Sequence, residues 1–145
     1  MSVFTELFSS ILPGYLSQKQ EVVYFQGSGT YEMEISGEES YQAELEELCG
    51  PRQTDGVRQL EVARLVLDER RAYHTNKNVV RVEIRGKQVG YLSLEATIQY
   101  RRYLGAKGLP GARGQCPAVI WGGWVTPDGS IGPYYVSLDM PDLAP

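Results

Sequence analysis

The chain has 145 residues, of which 42% are hydrophobic and 22% are charged, and its formal net charge at pH 7 is −4. This balance is typical of one soluble globular domain and excludes an intrinsically disordered protein. No apolar run approaches the roughly 20 residues of a membrane-spanning helix, and the N-terminus lacks the features of a signal peptide, so we expect a cytoplasmic protein without membrane contact.

The charge is divided unevenly along the chain. Residues 1–63 carry three basic and eleven acidic side chains, whereas residues 64–113 carry eleven basic and four acidic ones. A protein that coats nucleic acid without specificity is usually basic throughout, so the pattern argues against that class and leaves room for a local basic face. The alternative interpretation is that these charges are the solvated sides of strands and a helix.

The N-terminal third predicts two helices and two strands. Residues 3–16 repeat apolar side chains at helical spacing without lysine or arginine, which predicts an amphipathic helix that packs on the domain or on a second copy of the chain. Residues 22–25 are β-rich, and residues 30–35 alternate as a half-buried strand does. Residues 41–49 predict an acidic helix, which Gly50 and Pro51 end.

The middle of the chain predicts a strand, a loop, a hairpin and a helix. Residues 60–67 alternate as a strand, residues 68–77 form a polar loop, and residues 79–84 and 88–92 form a hairpin whose tight turn is Gly86-Lys87. Ser93 is a candidate N-cap for a helix that runs to Gly105.

The C-terminal part predicts a glycine-rich loop at 107–115 and strands at 116–124 and 132–138. Many short strands with two or three helices predict an α+β fold, a small and predominantly antiparallel β-barrel with flanking helices. We assign residues 1–29 to a helix-and-strand extension, residues 30–140 to the barrel and residues 141–145 to a tail.

Catalytic and metal-binding patterns are poorly represented. His74 is the one histidine, Cys49 and Cys116 do not form a C-x-x-C pair, and the glycines between 105 and 114 lack the spacing of a phosphate-binding loop. We therefore predict a protein that is not an enzyme and that needs no metal or other cofactor.

Basic, amide and aromatic side chains concentrate around the predicted loop. Arginine and lysine neutralise phosphates, asparagine and tyrosine hydrogen-bond to phosphates or base edges, and aromatic rings stack on unpaired bases. The alternative is that Tyr73 and Tyr91 pack the barrel and that the loop merely turns the chain. The candidate nucleic-acid-binding residues are Tyr41, Arg70, Arg71, Tyr73, His74, Asn76, Lys77, Lys87 and Tyr91.

Four segments of the chain resemble the HIRAN domain, a small barrel of the SH3/OB-like kind that is found fused to DNA-repair helicases and nucleases. The segments are I-S-G-E-E-S-Y at 35–41, L-V-L-D-E-R-R-A-Y-H at 65–74, N-V-V-R-V-E-I at 78–84 and G-K-Q-V-G-Y-L-S at 86–93. The resemblance implies binding of single-stranded DNA or DNA ends in an aromatic pocket, to which Tyr41, Tyr73 and Tyr91 correspond. Arg71 and His74 stand where the family has asparagine and aspartate.

Two hypotheses follow. The first is a non-catalytic domain that recognises single-stranded DNA or DNA ends, with Arg70, Arg71, Lys77 and Lys87 supplying the charge. The second is a protein-interaction or regulatory module on the same kind of barrel, which contacts its partner through the acidic helix 41–49 or associates with itself through residues 3–16.

Overall fold

The computed structural model describes residues 21–68 and 79–145, so the predicted helix at 3–16 and the loop residues 69–77 lie outside the described residues. The described chain forms an α+β fold in which two helices accompany one sheet. In chain order the elements are β1 Val22–Tyr24, β2 Met33–Glu34, a 3-10 turn Glu38–Ser40, α1 Gln42–Cys49, β3 Val57–Asp68, β4 Val79–Ile84, β5 Lys87–Tyr91, α2 Leu94–Ala106, β6 Arg113–Gly122 and β7 Tyr134–Leu138.

Six strands follow one another across the sheet in the order β2-β7-β6-β3-β4-β5, and every neighbouring pair is antiparallel. β1 joins the same sheet beside β6 and is parallel to it. The sheet curls into a half-barrel, because Ser36, just after β2, bridges Tyr91 at the far end of β5. The predicted α+β class and the predominantly antiparallel sheet are thus confirmed, with the two ends of the sheet joined at a single bridge.

The core fills the inside of this curl. Alternate residues of β4, Val80, Val82 and Ile84, are fully buried, and α2 adds Tyr100 and Leu104, which are also fully buried. Each such side chain contributes roughly 1.5–3 kcal/mol through the apolar surface it removes from water. The alternate residues of β4 and the helically spaced residues of α2 therefore pack into one core, as the sequence predicts.

Ser93 caps α2, as predicted: its Oγ accepts a hydrogen bond from the Ala96 N–H at 3.1 Å. The hairpin turn differs by one residue from the prediction, since Arg85 and Gly86 occupy it and Lys87 already belongs to β5. Both turn residues have positive φ, 47° for Arg85 and 78° for Gly86, which is the geometry of a two-residue type I′ turn.

Several predicted boundaries also move. The strand predicted at 30–35 is reduced to Met33–Glu34, and the strand predicted at 60–67 begins earlier, at Val57. β6 likewise begins at Arg113, inside the predicted glycine-rich loop. Within residues 21–68 and 79–145, no helix combines the length and the apolarity that crossing a bilayer requires.

Candidate nucleic-acid interface

Tyr91 ends β5 at the point where the two ends of the sheet meet. Its N–H donates to the Ser36 carbonyl at 2.8 Å, and its own carbonyl accepts from the Ser36 N–H at 2.7 Å. Gly90 makes this approach feasible, because a Cβ at that position would lie 2.6 Å from the Ser36 carbonyl oxygen. The backbone around Tyr91 is therefore held by the closure of the sheet.

A β-bulge sets the direction of the Tyr91 side chain. Glu83 pairs with Gln88, but Val82 pairs with Gly90, so one extra residue of β5 is inserted between them. Simple alternation would put Tyr91 on the same face as the fully buried Val89. The bulge instead pairs Tyr91 with Arg81, on the face opposite the core, and Tyr91 is only half-buried.

Tyr41 reaches the same place from the other end of the sheet. It follows the 3-10 turn, and its N–H donates to the Glu38 carbonyl at 2.9 Å. The rings of Tyr41 and Tyr91 meet edge to face with centroids 6.3 Å apart, and their hydroxyl oxygens are 3.3 Å apart. Neither tyrosine belongs to the core cluster. We call these two residues the tyrosine rim.

The outer edge of β7 anchors Tyr41. The Gln42 side chain donates to the Tyr134 carbonyl at 3.0 Å and accepts from the Tyr134 N–H at 2.8 Å. The Val136 N–H donates to the Glu38 carboxylate at 3.2 Å. These bonds satisfy strand groups that the short β2 leaves uncovered, and they fix the segment on either side of Tyr41.

The described surroundings of the rim are acidic. Glu38 and Glu39 lie three and two residues before Tyr41. Partial burial raises the pKa of Glu38, and the hydrogen bond that its carboxylate accepts from Val136 partly opposes this effect. Because burial disfavours the charged carboxylate, Glu38 is a site where proton uptake and folding are linked.

Lys87 does not join the tyrosine rim. It lies at the opposite end of β5 from Tyr91, four residues or roughly 13 Å along the strand. Its Nζ is 2.6 Å from a carboxylate oxygen of Glu47 on α1. The structure thus separates Lys87 from Tyr91, although both are candidate binding residues by sequence.

The other predicted site residues, Arg70, Arg71, Tyr73, His74, Asn76 and Lys77, lie outside the described residues. The strands that flank them are described: Asp68 ends β3 and is paired with Val79, which begins β4. Arg81, two residues further along β4, is the partner of Tyr91. The basic segment 69–78 is therefore joined to the sheet at the end where the tyrosine rim lies.

Arg81 is the neighbour of the rim that sequence reasoning missed. Its Nε is 2.7 Å from a carboxylate oxygen of Glu83, and its Nη1 lies 3.7 Å from the buried carboxylate of Asp68. A regular hairpin register would have paired Tyr91 with Val80, so only knowledge of the bulge could have identified Arg81.

The two cysteines are free thiols without nucleophilic activation. Burial raises the pKa of Cys116 to about 12, and burial followed by the nearby Glu61 raises the pKa of Cys49. Among the described residues, no group of three His, Cys, Asp or Glu side chains is placed to hold a metal ion.

Comparisons with protein-family models, with curated proteins and with solved structures find no match to this chain. The resemblance to the HIRAN domain therefore rests on the sequence alone.

Proposed function

We propose that this protein binds single-stranded DNA or DNA ends, without catalysis, at the tyrosine rim. The observation that carries the proposal is that Tyr41 and Tyr91, 50 positions apart in sequence, lie outside the core and meet at one end of the sheet. Tyrosine rings stack on unpaired bases, and their hydroxyls hydrogen-bond to bases or phosphates. Two adjacent rings of this kind are suited to a strand whose bases are unpaired.

The basic segment 69–78 supplies the charge in this proposal. It is joined to β3 and β4 next to the strand position that pairs with Tyr91. Cationic side chains there would neutralise phosphates while the tyrosines contact bases. The residues proposed for this role on sequence grounds are Arg70, Arg71 and Lys77, with His74 and Asn76 as hydrogen-bonding groups and Tyr73 as a third ring.

A titration of labelled single-stranded oligonucleotides, followed by fluorescence anisotropy, tests the proposal. Base–aromatic stacking is worth about 1–3 kcal/mol per base, so we expect Tyr91→Ala to weaken binding by about 5- to 150-fold. Tyr135→Ala is the matched control, because Tyr135 is an exposed tyrosine of β7 whose ring stacks on Trp121. We expect its affinity to match that of the unmodified protein.

Oligonucleotides with free and blocked 3′ ends separate the two forms of the ligand. A preference for the free end supports end recognition, whereas equal affinity supports binding along the strand. Absence of binding at low salt contradicts the proposed function, and equal losses in Tyr91→Ala and Tyr135→Ala contradict the proposed site.

A protein-interaction module is the second candidate, and the acidic surroundings of the rim favour it. Glu38 and Glu39 lie three and two residues before Tyr41. Such a surface attracts basic segments of a protein and repels phosphates. Replacing Glu38 and Glu39 by glutamine distinguishes the candidates: DNA binding should strengthen, whereas binding of a lysine-rich peptide should weaken.

A further inference from the structure

β3 has an edge that no described strand covers. On one side it pairs with β6 from Val57 to Leu65. On the other side it pairs with β4 only from Ala63 to Asp68. Residues 57–62 therefore extend beyond the β4–β5 hairpin with one side unpaired within the described chain.

The backbone groups of Leu60 point toward this open side. Pro117 is a residue of β6 and has no N–H. Its carbonyl accepts a hydrogen bond from the Asp139 N–H at 2.9 Å, so this carbonyl points toward β7 and away from β3. Val62, its partner in β3, consequently belongs to a pair without mutual hydrogen bonds and faces away from β6. Because this direction alternates along a strand, Leu60 and Arg58 share it.

The side chains along the open edge are apolar and accessible. Leu60 is 60% exposed and Val62 is 53% exposed. On the other face, the guanidinium of Arg85 is 2.7 Å from the Glu61 carboxylate and donates to the Leu48 carbonyl at 2.9 Å. An edge with free backbone groups and apolar side chains is a template for another strand.

We propose that this edge pairs with the same edge of a second copy of the chain, antiparallel about a two-fold axis at Leu60. Leu60 then faces Leu60 of the second copy, with two mutual backbone hydrogen bonds. Arg58 faces Val62, and Gln59 faces Glu61, so no like charges stand opposite each other.

This register is selected by charge and by length. If the axis lay at Glu61, Arg58 would face Arg64 of the second copy, and Glu61 would face Glu61 of the second copy. Both pairs carry like charges, which repel. Five residues, 58–62, fit between the start of β3 and the turn at Arg85 and Gly86, beyond which β4 occupies the edge. A contact of this length is short beside the roughly 20–30 residues a side of a stable interface, so we expect the dimer to dissociate on dilution.

Sedimentation equilibrium of the full chain over a range of protein concentrations tests the proposal. We expect Leu60→Lys to weaken dimerisation by about tenfold or more, because two lysines then face each other across the axis. Leu94→Lys is the matched control, since Leu94 on α2 is also a leucine and is 61% exposed. We expect it to dimerise like the unmodified chain.

A charge swap tests the axis itself. Leu60→Lys and Leu60→Glu should each be monomeric alone, and their mixture should form a heterodimer, because lysine then faces glutamate. A mixture that stays monomeric overturns the register, and an unmodified chain that is monomeric at its highest soluble concentration overturns the proposal.

Leu60→Pro provides a further check. It removes the outward N–H and leaves the β3–β6 ladder bonds in place, as proline at a strand edge does. A Leu60→Pro chain that keeps its circular dichroism spectrum and still dimerises would also overturn the proposal.

Discussion

Glu38 contributes both to the fold and to the charge around the candidate site. Its carboxylate accepts the Val136 N–H, and its carbonyl accepts the N–H of Tyr41 and the side-chain amide of Gln42. It therefore links the 3-10 turn to β7 and holds Tyr41 in place. The same carboxylate places negative charge beside the ring that we propose to contact DNA.

Glu38→Gln should raise the melting temperature at pH 7. Burial raises the folded-state pKa of Glu38 above its ordinary value of 4.5. Its favourable contribution to the free energy of unfolding is therefore fully present below pH 4.5 and is lost as the pH rises through the folded-state pKa. Glutamine cannot ionise and keeps an acceptor for the Val136 N–H. The gain over the unmodified protein should therefore be larger at pH 7 than at pH 4, as measured by thermal unfolding.

Glu39→Gln is the control for that change, because it removes the same charge from an exposed neighbour. A similar gain at pH 7 in both variants would show that the effect comes from general charge repulsion and not from the burial of Glu38.

At the scale of elements, the junction between the segment after β2 and the end of β5 closes the sheet. The two backbone hydrogen bonds between Ser36 and Tyr91 form it, and the absence of a side chain at Gly90 permits it. An added Cβ would also come within 2.8 Å of the Ile35 side chain. The closure thus depends on close backbone packing at one glycine.

Gly90→Ala should destabilise the fold by about 1–3 kcal/mol, the usual result of forcing extra volume into a packed site. Gly105→Ala, on α2 with open space around its added Cβ, should be neutral or stabilising by up to about 1 kcal/mol. Urea unfolding of both variants measures the difference. Equal stabilities would mean that the sheet tolerates opening at Gly90.

At the scale of the whole molecule, the charges of the two sequence halves are partly paired in space. Lys87 binds Glu47 and Arg85 binds Glu61. Each pair has at least one largely exposed partner and adds little stability. The carboxylates also reduce the positive charge that Lys87 and Arg85 offer to phosphate. In the proposed function, the electrostatic contribution to DNA binding is assigned to segment 69–78.

We therefore expect a shallow salt dependence of DNA binding. Three phosphate contacts by Arg70, Arg71 and Lys77 give a slope of about −2 in a plot of log K against log salt, since each contact on a single strand contributes about −0.7. Arg71→Ala should make the slope shallower by about 0.7. Binding that does not change with salt would contradict the assignment of this segment.

The sequence alone determined the fold class, the strands of the sheet and the cap of α2. These follow from local patterns: residues 79–84 alternate in the strand period, and Ser93 precedes a helical repeat. Such signals lie within a few residues of one another, so they can be recognised without knowledge of the rest of the chain.

The tertiary structure decided which candidate residues meet. The bulge in β5 turns Tyr91 out of the core and beside Arg81, and the Ser36 bridge brings Tyr41 to it. Lys87 stands at the opposite end of β5, where it pairs with Glu47. The physical reason is that strand register and sheet closure depend on backbone hydrogen bonds between distant segments. A one-residue shift in register reverses the face of a side chain without changing the sequence pattern that predicts the strand.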